Sequence, residues 1–361
     1  MKKLYIYSLA LFGILLSYES IAQKQKFSYN ETYQVSNSPT LSISSQDGDI
    51  DIYPSDKNVI EVFYIVKQNN EVLDITSSQL EDDFIIEISS GVDYLNISVK
   101  QRYEYRMMDW SDRKKISFEI YTPFKTSCDL LCSDGDIKLL GLSADQKLRS
   151  SDGDISVDKV KGSVYAKTSD GDLLVREIVG NVEPLTSDGD VKLVNITGDV
   201  DGRTSDGDVD IQGVKGLVSM VTSDGDINAE AIVGDLKLTS SDGDIRLTQS
   251  RGAMILSTSD GNISFRDLAG SLKARTSDGQ VKGNMISLDG DLELRTSDGN
   301  IEVEVPADLG LNLLLRGESI RTTLRGFSGV SKDHVVDGEI NGGGILINLH
   351  ASDGYVTLTY E

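Results

Sequence analysis

Apolar side chains recur along most of this chain with two spacings, a short one of two positions and a long one of 18 positions. Residues two apart lie on the same face of a β-strand, so each short run predicts one strand with one buried face. Each repeating unit contains two such runs, and in one unit their apolar residues are Ile155, Val157, Val164 and Ala166. A period this regular is typical of stacked repeat proteins, in which every unit has the same neighbours.

Two glycine-containing corners separate the strands of each unit. One is Ser-Asp-Gly-Asp, whose first Asp recurs every 18 positions from Asp134 to Asp278 and again, after 20 positions, at Asp298. The other has a glycine at the same position of seven consecutive units, from Gly162 to Gly270. Each unit therefore consists of a strand, a Gly corner, a second strand and an Asp-Gly corner.

Two folds are compatible with this unit. Asp-Gly favours hairpin turns and would allow an antiparallel meander, but a single sheet would leave a long apolar face uncovered. A solenoid instead packs the two strands of each coil against each other. We therefore predict an all-β fold, a single-stack β-solenoid of about ten 18-residue, two-strand coils, with irregular capping coils at the N- and C-terminal ends.

The same pattern divides the chain into four segments. Residues 1–22 have the basic start, apolar stretch and small-residue cleavage site of a secretory signal peptide. An uncleaved membrane anchor is the alternative, although the apolar run is short for a membrane span. Residues 23–127 are predicted as an irregular N-terminal β region, 128–305 as the regular repeats and 306–361 as a C-terminal β cap. We expect no transmembrane segment after signal cleavage, and a location in the periplasm, on the outer-membrane surface or outside the cell.

The net charge limits the partners that the chain can bind, and the two cysteines limit the disulfides that it can form. The formal net charge of −23 makes nucleic acid an improbable partner, because phosphate binding needs a basic surface. The two cysteines, Cys128 and Cys132, would be about 13 Å apart on one strand and could form a disulfide only if the chain turned between them. Cys132 occupies the corner position that Thr or Ser takes in later units, which favours a small packed residue.

The acidic corners are the first candidate site. Stacked coils would align their carboxylates in two rows, and such rows with nearby hydroxyls and carbonyls could bind structural Ca²⁺, which takes six to eight oxygen ligands. The alternative is turn chemistry, in which Asp accepts hydrogen bonds from the turn backbone and Gly supplies a positive φ. We favour turn chemistry, because Asn262, Gln280 and Asn300 replace the second Asp late in the array. The candidate Ca²⁺ ligands are Asp134, Asp136, Asp152, Asp154, Asp170, Asp172, Asp188, Asp190, Asp206, Asp208, Asp224, Asp226, Asp242 and Asp244.

A segment between two strand-like runs is the second candidate. Residues 102–115 contain the only Trp of the chain together with tyrosines, methionines and basic residues. Aromatic and Arg side chains are favoured at the centres of interfaces, so this segment could recognise a partner. A structural flap over the end of the stack is the alternative. The candidate recognition residues are Tyr103, Tyr105, Arg106, Met107, Met108 and Trp110.

The sequence offers no candidate catalytic residues. His334 and His350 lack metal-ligand spacing, and no Gly-x-Ser-x-Gly nucleophile motif occurs. Coils this short also leave little chain for loops that could wall a pocket. We expect a protein without enzymatic activity.

The repeated Ser-Asp-Gly-Asp-Ile units resemble a known family. The Thr that precedes several of them, as at Thr168 and Thr186, the Gly-x-Val second corners and the run Gly342–Gly344 add to this resemblance. The chain resembles the DUF4097 "putative adhesin" family of bacterial exported β-strand-repeat proteins over residues 35–361. The resemblance implies the fold and an envelope location, and it brings no catalytic residues.

These observations together predict a non-catalytic exported envelope or surface protein, an adhesin or scaffold that binds through repeated rows of side chains by avidity. Its partner would be a cell-surface carbohydrate or protein that the sequence does not identify, and its oligomeric state is equally open. One alternative is a Ca²⁺-dependent β-helix enzyme acting on polysaccharides. Another is a periplasmic sensor or scaffold for envelope stress.

Overall fold

The structure, a computed structural model, describes residues 27–69, 71–102 and 114–360. Nearly all of its regular elements are β-strands, and the helix α1 (Ser77–Leu80) spans a single turn. The regular repeats form the strands β9 (Ser127–Leu131), β10 (Ile137–Leu140), β11 (Gln146–Arg149), β12 (Ile155–Asp158), β13 (Val164–Lys167), β14 (Leu173–Val179), β15 (Val182–Leu185), β16 (Val191–Thr197), β17 (Val200–Arg203), β18 (Val209–Lys215), β19 (Val218–Val221), β20 (Ile227–Glu230), β21 (Leu236–Thr239), β22 (Ile245–Thr248), β23 (Arg251–Ser257), β24 (Ile263–Arg275), β25 (Val281–Thr296) and β26 (Ile301–Val305).

These strands stack as a parallel solenoid, which confirms the predicted fold. Strand β12 pairs with β14 so that Ile155 lies beside Leu173, one repeat further along the chain. The second strands of the coils form their own ladder, in which Val164 lies beside Val182. Within residues 127–305, all of which the structure describes, every pairing between named strands is parallel. The meander of hairpins is therefore excluded for this region.

The hydrophobic core lies between the two ladders and follows the apolar columns of the sequence. Ile155 and Val157 on the first strand are fully buried, and so is Ala166 on the second. The core is continuous from Leu41 near one end to Leu358 near the other. One coil buries too few aliphatic groups to offset the backbone entropy of ordering it, so the stability of the fold depends on the stacking of neighbours.

A left-handed residue lies seven positions after the first corner Asp in most regular coils. Lys159, Glu177 and Asn195 have φ values of 57°, 53° and 57°, and each precedes a fully or almost fully buried aliphatic residue such as Val160. The left-handed conformation is unfavourable for residues with a Cβ atom. Gly141 and Gly213 occupy the same column at φ values of 73° and 71°. The column bends the chain so that the next apolar side chain enters the core.

Both ends of the solenoid consist of irregular coils, as predicted. The N-terminal strands are β1 (Tyr29–Gln34), β2 (Thr40–Ser44), β3 (Ile50–Ser55), β4 (Val59–Gln68), β5 (Glu71–Val72), β6 (Phe84–Ser90), β7 (Tyr94–Gln101) and β8 (Lys115–Pro123). The C-terminal strands are β27 (Leu311–Arg316), β28 (Ser319–Thr322), β29 (Phe327–Lys332), β30 (Val335–Ile340), β31 (Ile345–Ala351) and β32 (Tyr355–Tyr360). Antiparallel strands, including β4, β6 and β30, flank the outermost parallel coils.

The order of coils along the axis differs from their order in the chain at both ends. The first coil, β2 and β3, lies between the coil of β7 and β8 and the first regular coil, because Leu41 pairs with both Leu95 and Cys128. The last coil, β31 and β32, is likewise inserted, because Leu349 pairs with both Leu294 and Leu315. Each terminal coil is therefore flanked on both sides.

Candidate functional site

The Asp-Gly corner is held together by a buried hydroxyl. The side chain of Thr168 is 2% exposed, and its Oγ1 atom accepts a hydrogen bond from the N–H of Gly171 at 3.3 Å. The same hydroxyl lies 3.1 Å from the carbonyl oxygen of Ser151 and 3.0 Å from that of Gly153, both of which belong to the preceding coil. The corresponding hydroxyl in later coils belongs to Thr186, Thr204, Thr222, Ser240, Thr258, Thr276 and Thr296.

The glycine of this corner is required by close packing. A Cβ atom on Gly171 would lie 2.2 Å from the carbonyl oxygen of Gly153 in the preceding coil. The corner glycines of the regular coils do not have positive φ, so the expectation that they supply a left-handed turn is wrong for them. Positive φ occurs instead at the second corner, where Gly180 has a φ of 151°.

The second Asp of each corner binds the backbone of the next coil. The Oδ1 atom of Asp172 accepts a hydrogen bond from the N–H of Asp190 at 2.9 Å, and this contact repeats along the row. Asn262 makes the same contact through its amide oxygen, at 3.0 Å from the N–H of Gln280. The contact explains the late Asn replacements and supports turn chemistry for this row. Its Asp members are Asp136, Asp154, Asp172, Asp190, Asp208, Asp226 and Asp244.

The first Asp of each corner is exposed to solvent. These side chains, which belong to Asp134, Asp152, Asp170, Asp188, Asp206, Asp224 and Asp242, form a row on the surface of the corner. Across residues 27–69, 71–102 and 114–360, no group of three or more His, Cys, Asp or Glu side chains is arranged to hold a metal ion. Binding of Ca²⁺ to the rows stays a prediction that a melting experiment can test.

The second corner has an acceptor row that the sequence reasoning missed. Asp145 accepts a hydrogen bond from the N–H of Ser163 at 2.7 Å, and Asp199 accepts one from the N–H of Leu217 at 2.9 Å. Asn181 and Asp235 make equivalent contacts to the residue 18 positions later. The signal in the sequence is an Asp or Asn directly after the second-corner glycine of several units, or after Ala144 in the case of Asp145.

Both cysteine thiols are buried and free. Cys132 occupies the corner position of Thr168, and its Sγ atom lies 3.2 Å from the N–H of Gly135 and 3.3 Å from the carbonyl oxygen of Gly48. It is therefore the packed corner residue that the sequence indicated. Burial raises the pKa of the Cys132 thiol to about 11, and it raises the pKa of Cys128 further, so the reactive thiolate is disfavoured at neutral pH.

Tyr103, Tyr105, Arg106, Met107, Met108 and Trp110 lie outside the described residues. The neighbouring strands β7 and β8 form the outermost parallel coil at the N-terminal end. An aromatic cluster that the sequence reasoning missed lies on the outer face beside β8, where the ring of Tyr121 is 5.5 Å from that of Tyr53 and 5.9 Å from that of Phe63.

Three depressions, with volumes of about 240, 310 and 400 Å³, lie on outer faces of the ladders. One is lined by Lys192, Asp210 and Arg246, another by Phe63, Glu119 and Tyr121, and the third includes Tyr165. In the described part of the chain, no helix is long and apolar enough to cross a membrane.

The family model named Toastrack DUF4097 matches residues 38–248 and 197–359, which together span most of the chain. The chain belongs to the DUF4097 family. No protein of curated function matches this DUF4097 chain. The membership agrees with the resemblance seen in the repeated acidic corners and with the all-β stack.

Three crystal structures resemble this DUF4097 protein at low identity. A "putative adhesin" from Bacteroides fragilis is 11% identical, with 78% of this chain and 98% of that chain covered and a TM-score of 0.31. A "putative adhesin" from Parabacteroides distasonis is 15% identical, with coverages of 77% and 96% and a TM-score of 0.31. A "putative cell adhesion protein" from Clostridium sporogenes is 10% identical, with coverages of 92% and 99% and a TM-score of 0.20. At this similarity, the family assignment rests on the family model.

Proposed function

We propose that this chain is an exported, non-catalytic binding scaffold of the cell envelope, which attaches to a cell-surface partner through many weak and repeated contacts. The regular register of the stack carries the proposal. Residues 18 positions apart, such as Lys192 and Asp210, lie side by side on adjacent parallel strands, about 4.8 Å apart. A rod of this kind presents straight rows of side chains to a partner, and simultaneous contacts along a row add up by avidity.

The role of the acidic residues also supports a scaffold. The second Asp of the corners holds the backbone of the next coil, as Asp172 holds Asp190. The corner hydroxyls likewise bind backbone carbonyls of the preceding coil. The most regular features of the sequence thus serve the construction of a rigid rod. The outward side chains vary from coil to coil and are available for binding.

Export is tested by expressing the full chain and analysing its mature N-terminus by mass spectrometry. We expect residues 1–22 to be removed and protease added to intact cells to degrade the protein. A periplasmic marker protein serves as the control for cell integrity. A chain that keeps residues 1–22 and stays in the cytoplasm would overturn the proposal.

Avidity is tested by shortening the rod without disturbing its ends. Deletion of residues 207–242 removes two complete repeats and joins Asp206 to Gly243 in the same register. Each coil contacts mainly its neighbours, so the shortened rod should keep its β-sheet circular dichroism spectrum. We expect its retention on intact cells to fall severalfold relative to residues 23–361. Unchanged retention would argue against contacts distributed along the rod.

The two alternatives from the sequence remain open as predictions. An enzyme acting on polysaccharides would release oligosaccharides from acidic polysaccharides in the presence of Ca²⁺. A periplasmic sensor or scaffold would resist protease added to intact cells and become sensitive after the outer membrane is permeabilised.

A further inference from the structure

One exposed row of the second-strand ladder contains no acidic residue over the whole parallel stack. The row holds the outward side chain near the end of each second strand, just before the Asp-Gly corner. In spatial order its members are Ser98, Ser44, Leu131, Arg149, Lys167, Leu185, Arg203, Val221, Thr239, Ser257, Arg275, Arg295, His350 and Arg316. The chain has 58 acidic and 35 basic residues. An outward row that has basic residues and lacks acidic ones therefore differs from the composition of the chain as a whole.

Positive charge is densest at the C-terminal end of this row. Arg275 pairs with Arg295, Arg295 with His350, and His350 with Arg316, so four basic side chains stand on consecutive adjacent strands. We call these four residues the basic row. The three arginines are exposed and His350 is half-buried. Like charges directly opposite each other on neighbouring strands destabilise a sheet, so the fold itself gains nothing from their alignment.

The carboxylate of Glu293 does not neutralise the basic row. Its Oε1 atom lies 2.8 Å from Nε of Arg295, and its Oε2 atom lies 3.0 Å from Nζ of Lys273. The hydrogen bond from Lys273 lowers the pKa of Glu293, so this carboxyl stays ionised. One acid is therefore shared between two ion-paired bases, and it also attracts Arg275. Among the described residues, no carboxylate lies within salt-bridge distance of Arg275 or Arg316.

The surroundings of the basic row restrict the shape of its partner. Three residues beyond Arg275, Arg295 and His350 stand the exposed corner residues Asp278, Asp298 and Asp353. An anionic membrane or a DNA duplex would cover both rows and be repelled by the acidic one. A single polyanionic chain running along the solenoid axis can contact the basic row alone. Single-stranded nucleic acid usually needs large aromatic stacking surfaces, and none of the four residues is Phe, Tyr or Trp.

We propose that the basic row of Arg275, Arg295, His350 and Arg316 binds a linear acidic polysaccharide that lies along the solenoid axis. Guanidinium groups bind carboxylates and sulfates through paired, charge-assisted hydrogen bonds. Strands about 4.8 Å apart offer such a group at each short step along an extended glycan. This inference names a ligand class for the binding scaffold and rests on that proposed function.

The test measures binding of residues 23–361 to polygalacturonate by biolayer interferometry, with neutral dextran as the second probe. The row variant combines Arg275→Gln, Arg295→Gln and Arg316→Gln. The matched control combines Lys138→Gln, Lys215→Gln and Arg266→Gln, which removes the same charge from exposed sites on the other ladder. We expect the row variant to lose at least tenfold in affinity and the control to lose less than threefold. Binding of the unmodified protein should weaken with added salt, and dextran should not bind.

Three results would overturn the inference. These are absence of polygalacturonate binding, equal losses in the row variant and the control, and tighter binding to duplex DNA or to vesicles of anionic lipid than to polygalacturonate. If the row variant loses its β-sheet circular dichroism spectrum, the single variants Arg275→Gln and Arg316→Gln replace it and should each weaken binding severalfold. The deletion of residues 207–242 leaves the basic row intact. Loss of retention in that deletion with unchanged polygalacturonate binding therefore separates the avidity proposal from this one.

Discussion

The Oδ1 atom of Asp154 accepts a hydrogen bond from the backbone N–H of Asp172 at 2.8 Å, and these two residues are 18 positions apart. Each second Asp is thus both the acceptor for the following coil and the donor to the preceding one. Charge-assisted hydrogen bonds of this kind are stronger than neutral ones. The row links successive corners along the length of the regular stack.

This relationship predicts different effects for the two acids of one corner. Asp190→Ala should lower the free energy of unfolding by about 1 kcal/mol, because the N–H of Asp208 loses its acceptor. Asp188→Ala, the matched change at the exposed first Asp, should change it by less than about 0.5 kcal/mol. Asp190→Asn should stay close to the unmodified protein, as Asn262 shows that an amide oxygen suffices. Urea denaturation of the three variants measures these differences, and equal losses for Asp188→Ala and Asp190→Ala would contradict the role of the second Asp.

The same contacts predict a weak response to calcium. Because one carboxylate oxygen of Asp172 and its counterparts already binds backbone, we expect equal melting temperatures in EDTA and in millimolar Ca²⁺. Mg²⁺ at the same concentration controls for general screening of the acidic surface. A rise in melting temperature specific to Ca²⁺ would restore the metal-binding interpretation of the corners.

The left-handed column offers a stabilising substitution. Glu177 has a φ of 53°, so Glu177→Gly removes an unfavourable backbone conformation and should raise the free energy of unfolding by about 0.5–1 kcal/mol. Glu183→Gly removes the same charge from an exposed position inside a strand. This substitution should lower the free energy of unfolding by about 0.5–1 kcal/mol. Paired chemical denaturation curves give both values. A loss of stability in both variants would mean that the side chain of Glu177 matters more than its backbone.

The buried thiol of Cys132 predicts a pH dependence. The pKa of this thiol is raised to about 11 in the folded protein, whereas the unfolded chain ionises near the ordinary value of 9.0. The folded state therefore binds more protons between these values, and the contribution of Cys132 to stability should be full below pH 9 and decline as the pH rises towards 11. Cys128, also buried with a raised pKa, contributes in the same direction.

The variant Cys132→Thr isolates this effect. Thr is the usual residue of the corner and can make the contacts that Thr168 makes, so the variant should fold with equal or higher stability at pH 7. Its stability should also decline less between pH 9 and pH 11 than that of the unmodified protein. Thermal melts at three pH values provide the measurement. If the stability of the variant falls as steeply between pH 9 and pH 11 as that of the unmodified protein, groups other than Cys132 cause the decline.

The repeat pattern predicted the parts of the fold that depend on side-chain type. The column of Ile137, Ile155 and Leu173 fills one line of the core as its spacing indicated. The left-handed column could not be seen, because Lys159, Glu177 and their counterparts share a backbone conformation and no side-chain property. The same limit applies to the inserted end coils, whose neighbours are decided by pairing between distant segments.

The longer unit between Asp278 and Asp298 shows that spacing along the sequence can identify the wrong buried residue where a unit is irregular. Ile286 stands at the position of the buried residue Leu268, but it is 56% exposed. Met285 pairs with Leu268 and is 3% exposed. This coil lacks the left-handed residue of the regular coils, so the buried side chain comes one position earlier. Among the candidate sites, the backbone contacts of the second Asp support turn chemistry for that row. The basic row escaped notice because its members are far apart in the sequence.

The insertion of the first and last coils changes how such a rod can be taken apart. A simple stack can peel from its termini one coil at a time, as each outermost coil has a single neighbour. Here the strands that carry Leu41 and Leu349 each pair with two neighbouring coils, and detaching either means breaking two ladders at once. A force applied to either of these two coils therefore acts against the interior of the stack. We expect these two coils to be harder to detach than the outermost coils of a linear repeat protein.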